Sequence, residues 1–189
     1  MQNSSVTETG DEELYRRTRK GDQRAFTVLY ERHEPPLYRY ALHMTGSRVV
    51  AEEIVHEMFA RLIGGELKYD ERRGALEAYL YGTVRNLARM KRRESASVAE
   101  IGERAFEHDI ADDLIRNESI AALHAALREL PERYRDAIAL CDLEEKSYED
   151  AARVMACPVG TVRSRLHRAR AMLAATLKRA DAARKVGVG

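Results

Sequence analysis

The sequence predicts an all-α chain: two small helical domains joined by a flexible acidic linker. Three observations lead there. Apolar residues recur at three- and four-residue spacing through most of the chain, with no alternating strand pattern and no internal repeat. Positive charge is gathered in two distant stretches: residues 85–93 carry five Lys or Arg and residues 158–179 carry six, neither with any acid, although the chain's formal net charge is only +1. Between them, residues 94–118 hold eight Asp or Glu against two Arg, with weak apolar periodicity. The expected organisation is a disordered N-terminus at 1–10, a first helical domain at 11–94, the linker at 95–116, a second helical domain at 117–180 and a frayed tail at 181–189.

In the first domain, Asp11 is placed to cap a helix running to about Lys20 with Leu14 inward, and Gly21 followed by Asp22 reads as a stop and a new N-cap. Ala25, Phe26, Val28, Leu29 and Tyr30 form the apolar side of the next helix. Pro35 and Pro36 are expected to interrupt it, because proline removes a donor and crowds the preceding turn. Residues 37–44 then resume as a separate helix or a kinked continuation, ended by Gly46. Residues 50–63 make the next strong helix, with Val50, Ile54, Val55, Met58, Phe59 and Leu62 inward and Glu52, Glu53, His56 and Glu57 outward. After Gly64 and Gly65, a polar loop carries Lys68, Tyr69, Arg72 and Arg73. Residues 75–93 are helical again: Leu76, Tyr79, Leu80, Val84 and Leu87 pack, whereas Arg85, Arg89, Lys91, Arg92 and Arg93 make a basic surface.

In the second domain, Asn117 or Ser119 opens a helix with the stripe Ile120, Leu123, Ala126, Leu127 and Leu130, and Pro131 starts another over residues 132–143, packed through Tyr134, Ile138 and Leu140. Ser147 reads as an N-cap with Asp150 at N3. Ala151, Ala152, Val154 and Met155 continue the stripe, Ala156 and Cys157 make a break, and Pro158 fits the first position of the last helix. In that helix Val162, Leu166, Ala169, Leu173 and Leu177 share one face, with Ser164, His167, Arg168 and Ala171 opposite. A short helix, a tight turn and a basic second helix is the layout of a helix-turn-helix, whose second element enters the DNA major groove. Periodicity and charge alone also fit an ordinary amphipathic helical hairpin with a solvated basic face.

Composition excludes several classes. Length and the 44% hydrophobic content suffice for real cores, no apolar run approaches a membrane span, and the polar N-terminus resembles no signal peptide, so the expectation is a cytoplasmic protein without membrane insertion. Cys141 and Cys157 sit in no ligand or redox pattern and read as small buried hydrophobes. The six histidines are scattered, no nucleophile–base pair or Gly-rich phosphate loop is visible, and no metal, cofactor or catalytic activity is expected.

Leu130-Pro131, Tyr134-Arg135, Ser147 to Ala152, and Gly160 to Leu166 with Arg168-Ala169-Arg170 match, in order and spacing, region 4 of the bacterial sigma-70 family. Ala51 to Val55 with Glu57 and Phe59 resembles region 2.2, and Tyr79-Leu80-Tyr81 with Arg85 to Ala88 and Lys91 to Arg93 resembles regions 2.3 and 2.4. The chain therefore resembles a small sigma factor of the extracytoplasmic function (ECF) group. It departs from the family pattern at Val50, His56, Tyr79 and Met90.

The resemblance implies a subunit that binds core RNA polymerase, places its C-terminal domain on the minus-35 element as duplex, and captures the minus-10 element as melted single strand. Thr161, Arg163, Ser164, Arg165, His167 and Arg168 are then the minus-35 residues. Arg163, Ser164, His167 and Arg168 face base edges, Arg168 or Arg163 being best suited to guanine, while Thr161 and Arg165 hold phosphates. Lys68, Tyr69, Arg72, Arg73, Arg85, Asn86, Arg89, Lys91, Arg92 and Arg93 are the minus-10 candidates: Asn86 and the loop read a flipped base, the cations track the backbone, and Tyr69, Tyr79 and Tyr81 are available as stacking surfaces, with core packing the favoured expectation for Tyr79. Glu52, Glu53, His56 and Glu57 suit the basic clamp helices of the polymerase β′ subunit, the β flap is a further polymerase contact, and the acidic linker threads towards the active-site and RNA-exit region. An anti-sigma factor is also implied. The alternative is a helix-turn-helix regulator that acts without being a polymerase subunit.

Overall fold

The computed structural model describes residues 9–99 and 118–186. Among them the regular structure is helical, without strands: α1 (Asp11–Thr18), α2 (Gln23–Thr45), α3 (Arg48–Gly64), a 3-10 turn at Glu71–Arg73, α4 (Leu76–Ala99), α5 (Glu118–Glu129), α6 (Glu132–Ile138) passing into a π turn at Ala139–Leu143, α7 (Tyr148–Met155) and α8 (Val159–Val186). Short polar side chains fix three of the starts. Asp22 accepts from the Arg24 and Ala25 N–H groups at 3.0 and 3.1 Å, Ser47 from Val50 at 3.4 Å and Ser147 from Asp150 at 3.0 Å. Removing such a cap costs about 1 kcal/mol.

Several expectations are corrected. Pro35 and Pro36 lie inside the continuous helix α2. The missing donors are tolerated because Leu29, His33, Leu37, Tyr40, Ala41 and Met44 are buried along a face that spans the prolines, so packing outweighs the local penalty. Asp11 does not cap: Gly10 takes that position, and the Asp11 carboxylate instead pairs with Arg32 and His33 of α2. Pro158 stands just before α8, its carbonyl accepting from Thr161 at 2.8 Å and Val162 at 3.2 Å. The fourth helix continues past Arg93 to Ala99 and the last past Asp181 to Val186, so helix extends into stretches expected to be linker and tail. Residues 100–117, with the rest of the acidic linker, and residues 1–8 lie outside the described residues. Cys141 and Cys157 are half-buried rather than sealed in.

The first four helices enclose Leu14, Leu29, Ile54, Met58, Leu62, Leu80 and Val84; the last four enclose Leu127, Ile138, Leu140, Val154, Val162, Leu166 and Ala169. These two apolar groups merge into one cluster, because α4 packs on α7, and α2 packs on α5 and α6. Gly46, at φ +74, ends α2 where the Arg128 stem crosses it, leaving no room for a Cβ.

One contact across this junction is pH-sensitive. His43 of α2 stacks on His124 of α5 with ring centroids 5.3 Å apart. Burial, then His124 and Arg39, pull the His43 pKa down to about 4, and burial with Arg128 lowers that of His124. Folded His43 therefore binds protons less readily than in the unfolded chain. Its stabilising share is intact above the ordinary imidazole value of about 6.5 and is lost as pH falls towards 4. Denaturation midpoints measured down this range should fall in the wild type and fall less in His43→Gln; equal slopes would rule out the histidine.

Candidate nucleic-acid interface

The C-terminal helix pair is built as its sequence requires. Ser147 caps α7 and its hydroxyl also donates to the Asp150 carboxylate at 2.6 Å. Ala156 adopts the left-handed region, φ 50, to make the turn. Val162, Leu166 and Ala169 then sink one face of α8, at 0%, 2% and 0% exposure, which leaves Arg163, Ser164, His167 and Arg168 exposed on the other. Thr161 and Arg165 are half-buried at the rim, with an Arg165 guanidinium nitrogen 3.8 Å from the Cys157 sulfur. Arg170 is tied to Asp142 by bonds of 2.9 and 2.6 Å and belongs to the scaffold.

The second surface lies between α3 and α4. Lys68, Tyr69 and Arg73 line a cleft of about 260 Å³ with Asp70, Gly74, Ala75, Ala78 and Tyr79. Tyr69 donates its hydroxyl to the Gly74 carbonyl at 2.9 Å and packs against Tyr79, ring centroids 5.5 Å apart. Gly74 sits at φ +135, where a side chain is strained, so glycine permits this wall. Burial, then Glu12, push the Tyr69 phenol up to about 12, so it stays a protonated donor. Arg72 is exposed beside the cleft in a two-bond pair with Asp70.

Along α4 the candidates divide. Asn86 and Arg93 are exposed. Lys91 reaches Glu53 at 3.4 Å, and Arg92 is half-buried. Arg89 pairs with Glu132 of α6 at 2.6 Å. Arg85, expected to track a DNA backbone, is buried and bonded to Asp136 of α6 at 2.7 Å. Burial opposes its charge, but Asp136 together with Tyr40 and Glu132 outweighs burial and raises its pKa. Tyr81, expected as a stacking platform, is also buried, with its hydroxyl on Glu144 at 3.3 Å. In this arrangement neither side chain faces solvent, because the C-terminal helices cover that flank of α4. Arg153 of α7 reaches the cleft and packs against Gly74.

On α3, Glu52, Glu53 and His56 are exposed, and Glu57 is half-buried against Arg61. The sequence reading missed Arg133, Tyr148 and the small cleft walls at Gly74, Ala75 and Ala78. A small residue leaves no charge or periodic signal, whereas a tyrosine one helix before a basic helix is a signal that could be followed.

The family models for sigma-70 region 2 and sigma-70 region 4 match residues 29–97 and 120–173. The RNA polymerase sigma-H factor of Pseudomonas aeruginosa is 32% identical over 181 residues, covering 87% of this chain and 92% of the relative. This chain belongs to the sigma-70 family. An ECF RNA polymerase sigma-E factor of Escherichia coli is 35% identical over 176 residues, covering 85% and 90%, which puts the chain in the ECF group of sigma factors. Among solved structures, the sigma factor RpoE of Bartonella quintana, seen with the anti-sigma factor NepR, is similar with a TM-score of 0.68 and 25% identity over 81% of this chain and 96% of that one. The region 2 match spans most of α2 through α4, and the region 4 match spans α5 into α8. Among the described residues of this sigma factor, no His, Cys, Asp or Glu group is arranged to hold a metal, and no helix is long and apolar enough to cross a membrane.

Proposed function

We propose that this sigma factor is a non-catalytic, cytoplasmic specificity subunit that binds core RNA polymerase through the outward acids of α3, reads minus-35 duplex with α8 and captures melted minus-10 DNA at the cleft between α3 and α4. The observation that carries the reading is the exposed row Arg163, Ser164, His167 and Arg168 on a helix whose opposite face is fully sunk. An arginine offers two parallel donors to guanine, and a good pair of this kind discriminates by about 1–3 kcal/mol. The cleft supports the second half: it is walled by Tyr69 and Tyr79, rimmed by Lys68 and Arg73, and sized for a planar ring. Arg85 and Arg89 are held by acids of α6, so full use of α4 on DNA requires the two units to part. Charge hidden this way also suits an anti-sigma partner, the kind of complex in which RpoE was solved.

The test is transcription with purified core polymerase on a pool of promoter fragments. Initiation from specific sites is expected only when this chain is added, and Arg168→Ala should reduce it about tenfold or more at the best sites. No sigma-dependent initiation, or full activity in both Arg163→Ala and Arg168→Ala, would sink the assignment.

A further inference from the structure

Long arginines on an exposed helix lose rotamer entropy when they dock, and one of the two best guanine readers here lies over a tyrosine of the preceding helix. Arg163 lies over the Tyr148 ring, its guanidinium carbon 5.6 Å from the centroid. We propose that Tyr148 is a positioning residue that holds Arg163 at its reading angle and so helps set minus-35 specificity. The inference rests on the proposed minus-35 role of α8.

The chemistry leaves the reading edges free. A guanidinium stacked on a ring uses its face and keeps its in-plane N–H groups for a base. Tyr148 is the first residue of α7, so the Ser147 cap fixes its backbone, while the residue is 36% exposed.

The experiment uses the full chain assembled with core polymerase and a pool of DNA duplexes randomised over one helical turn, sequenced before and after capture. Arg163→Ala and Arg168→Ala first identify the base position each arginine reads. Tyr148→Leu should then weaken base preference about two- to fivefold at the Arg163 position alone, and Tyr148→Phe, which keeps the ring face, should restore it. An unchanged preference in Tyr148→Leu, or a uniform loss at every position including the Arg168 one, would overturn the positioning role while leaving the helix as a reader. If the unaltered chain with polymerase enriches no duplex, α8 is not a reader and both ideas fall.

Discussion

Asp136→Ala is expected to destabilise the chain by about 3–5 kcal/mol, the usual result of removing one partner of a buried ion pair. Asp136 is 0% exposed and accepts from Arg85 at 2.7 Å and from the Tyr40 hydroxyl at 3.0 Å. Its removal strands a guanidinium that is only 8% exposed and leaves a buried phenol without its acceptor. Because Asp136 is on α6 while Arg85 and Tyr40 are on α4 and α2, the loss falls on the docking of the two units. Urea titration gives the cost; a loss under 1 kcal/mol would show the pair to be dispensable. Replacing the whole group, Arg85→Met and Asp136→Leu with Tyr40→Phe, should recover most of the stability, since the apolar set avoids the desolvation of two ions and leaves no phenol without an acceptor. By weakening the docking that covers α4, the single change should also expose Arg85 more often. Polymerase-free binding to a single-stranded oligonucleotide should therefore rise in Asp136→Ala and stay at or below the wild-type level in Arg85→Ala.

The parts legible in the sequence are those set by local rules. The caps at Asp22 and Ser147, the stripe Val162, Leu166 and Ala169, and the outward row on α8 follow from hydrogen-bonding capacity and a 3.6-residue period, and all are found. Where the reading missed, distant residues decide. Proline at 35 and 36 is a breaker by local rules, but the buried face that spans both sites holds α2 together. Arg85 and Tyr81 sit in a basic and aromatic run that reads as a DNA surface, and their partners Asp136 and Glu144 lie 51 and 63 residues away. The acids were visible in the sequence, yet nothing local to α4 says that they fold back onto it.

Arg135 shows the same limit in its sharpest form, and its replacement is expected to match or exceed the Asp136 effect. In sequence it is one more cation next to Tyr134. In the fold it is 3% exposed and donates to four carbonyls: Leu127 at 2.8 Å, Arg128 at 2.6 Å, Leu130 at 3.0 Å and, across the junction, Met44 at 2.8 Å. These carbonyls lie at the C-terminal ends of α5 and α2, where a cation also meets the negative end of each helix dipole. Burial, with Arg92 nearby, lowers the Arg135 pKa to about 10, still high enough to keep it charged at neutral pH. Charged hydrogen bonds contribute about 1.5–3 kcal/mol each, so Arg135→Met, which keeps the stem and removes every donor, should cost about 4 kcal/mol or more. Arg135→Lys separates charge from geometry. An ammonium cannot span carbonyls from two helices as a planar fork does. If the fork is what matters, lysine should recover less than half of the loss in a urea titration; full recovery would mean that the positive charge alone holds the two helix ends together.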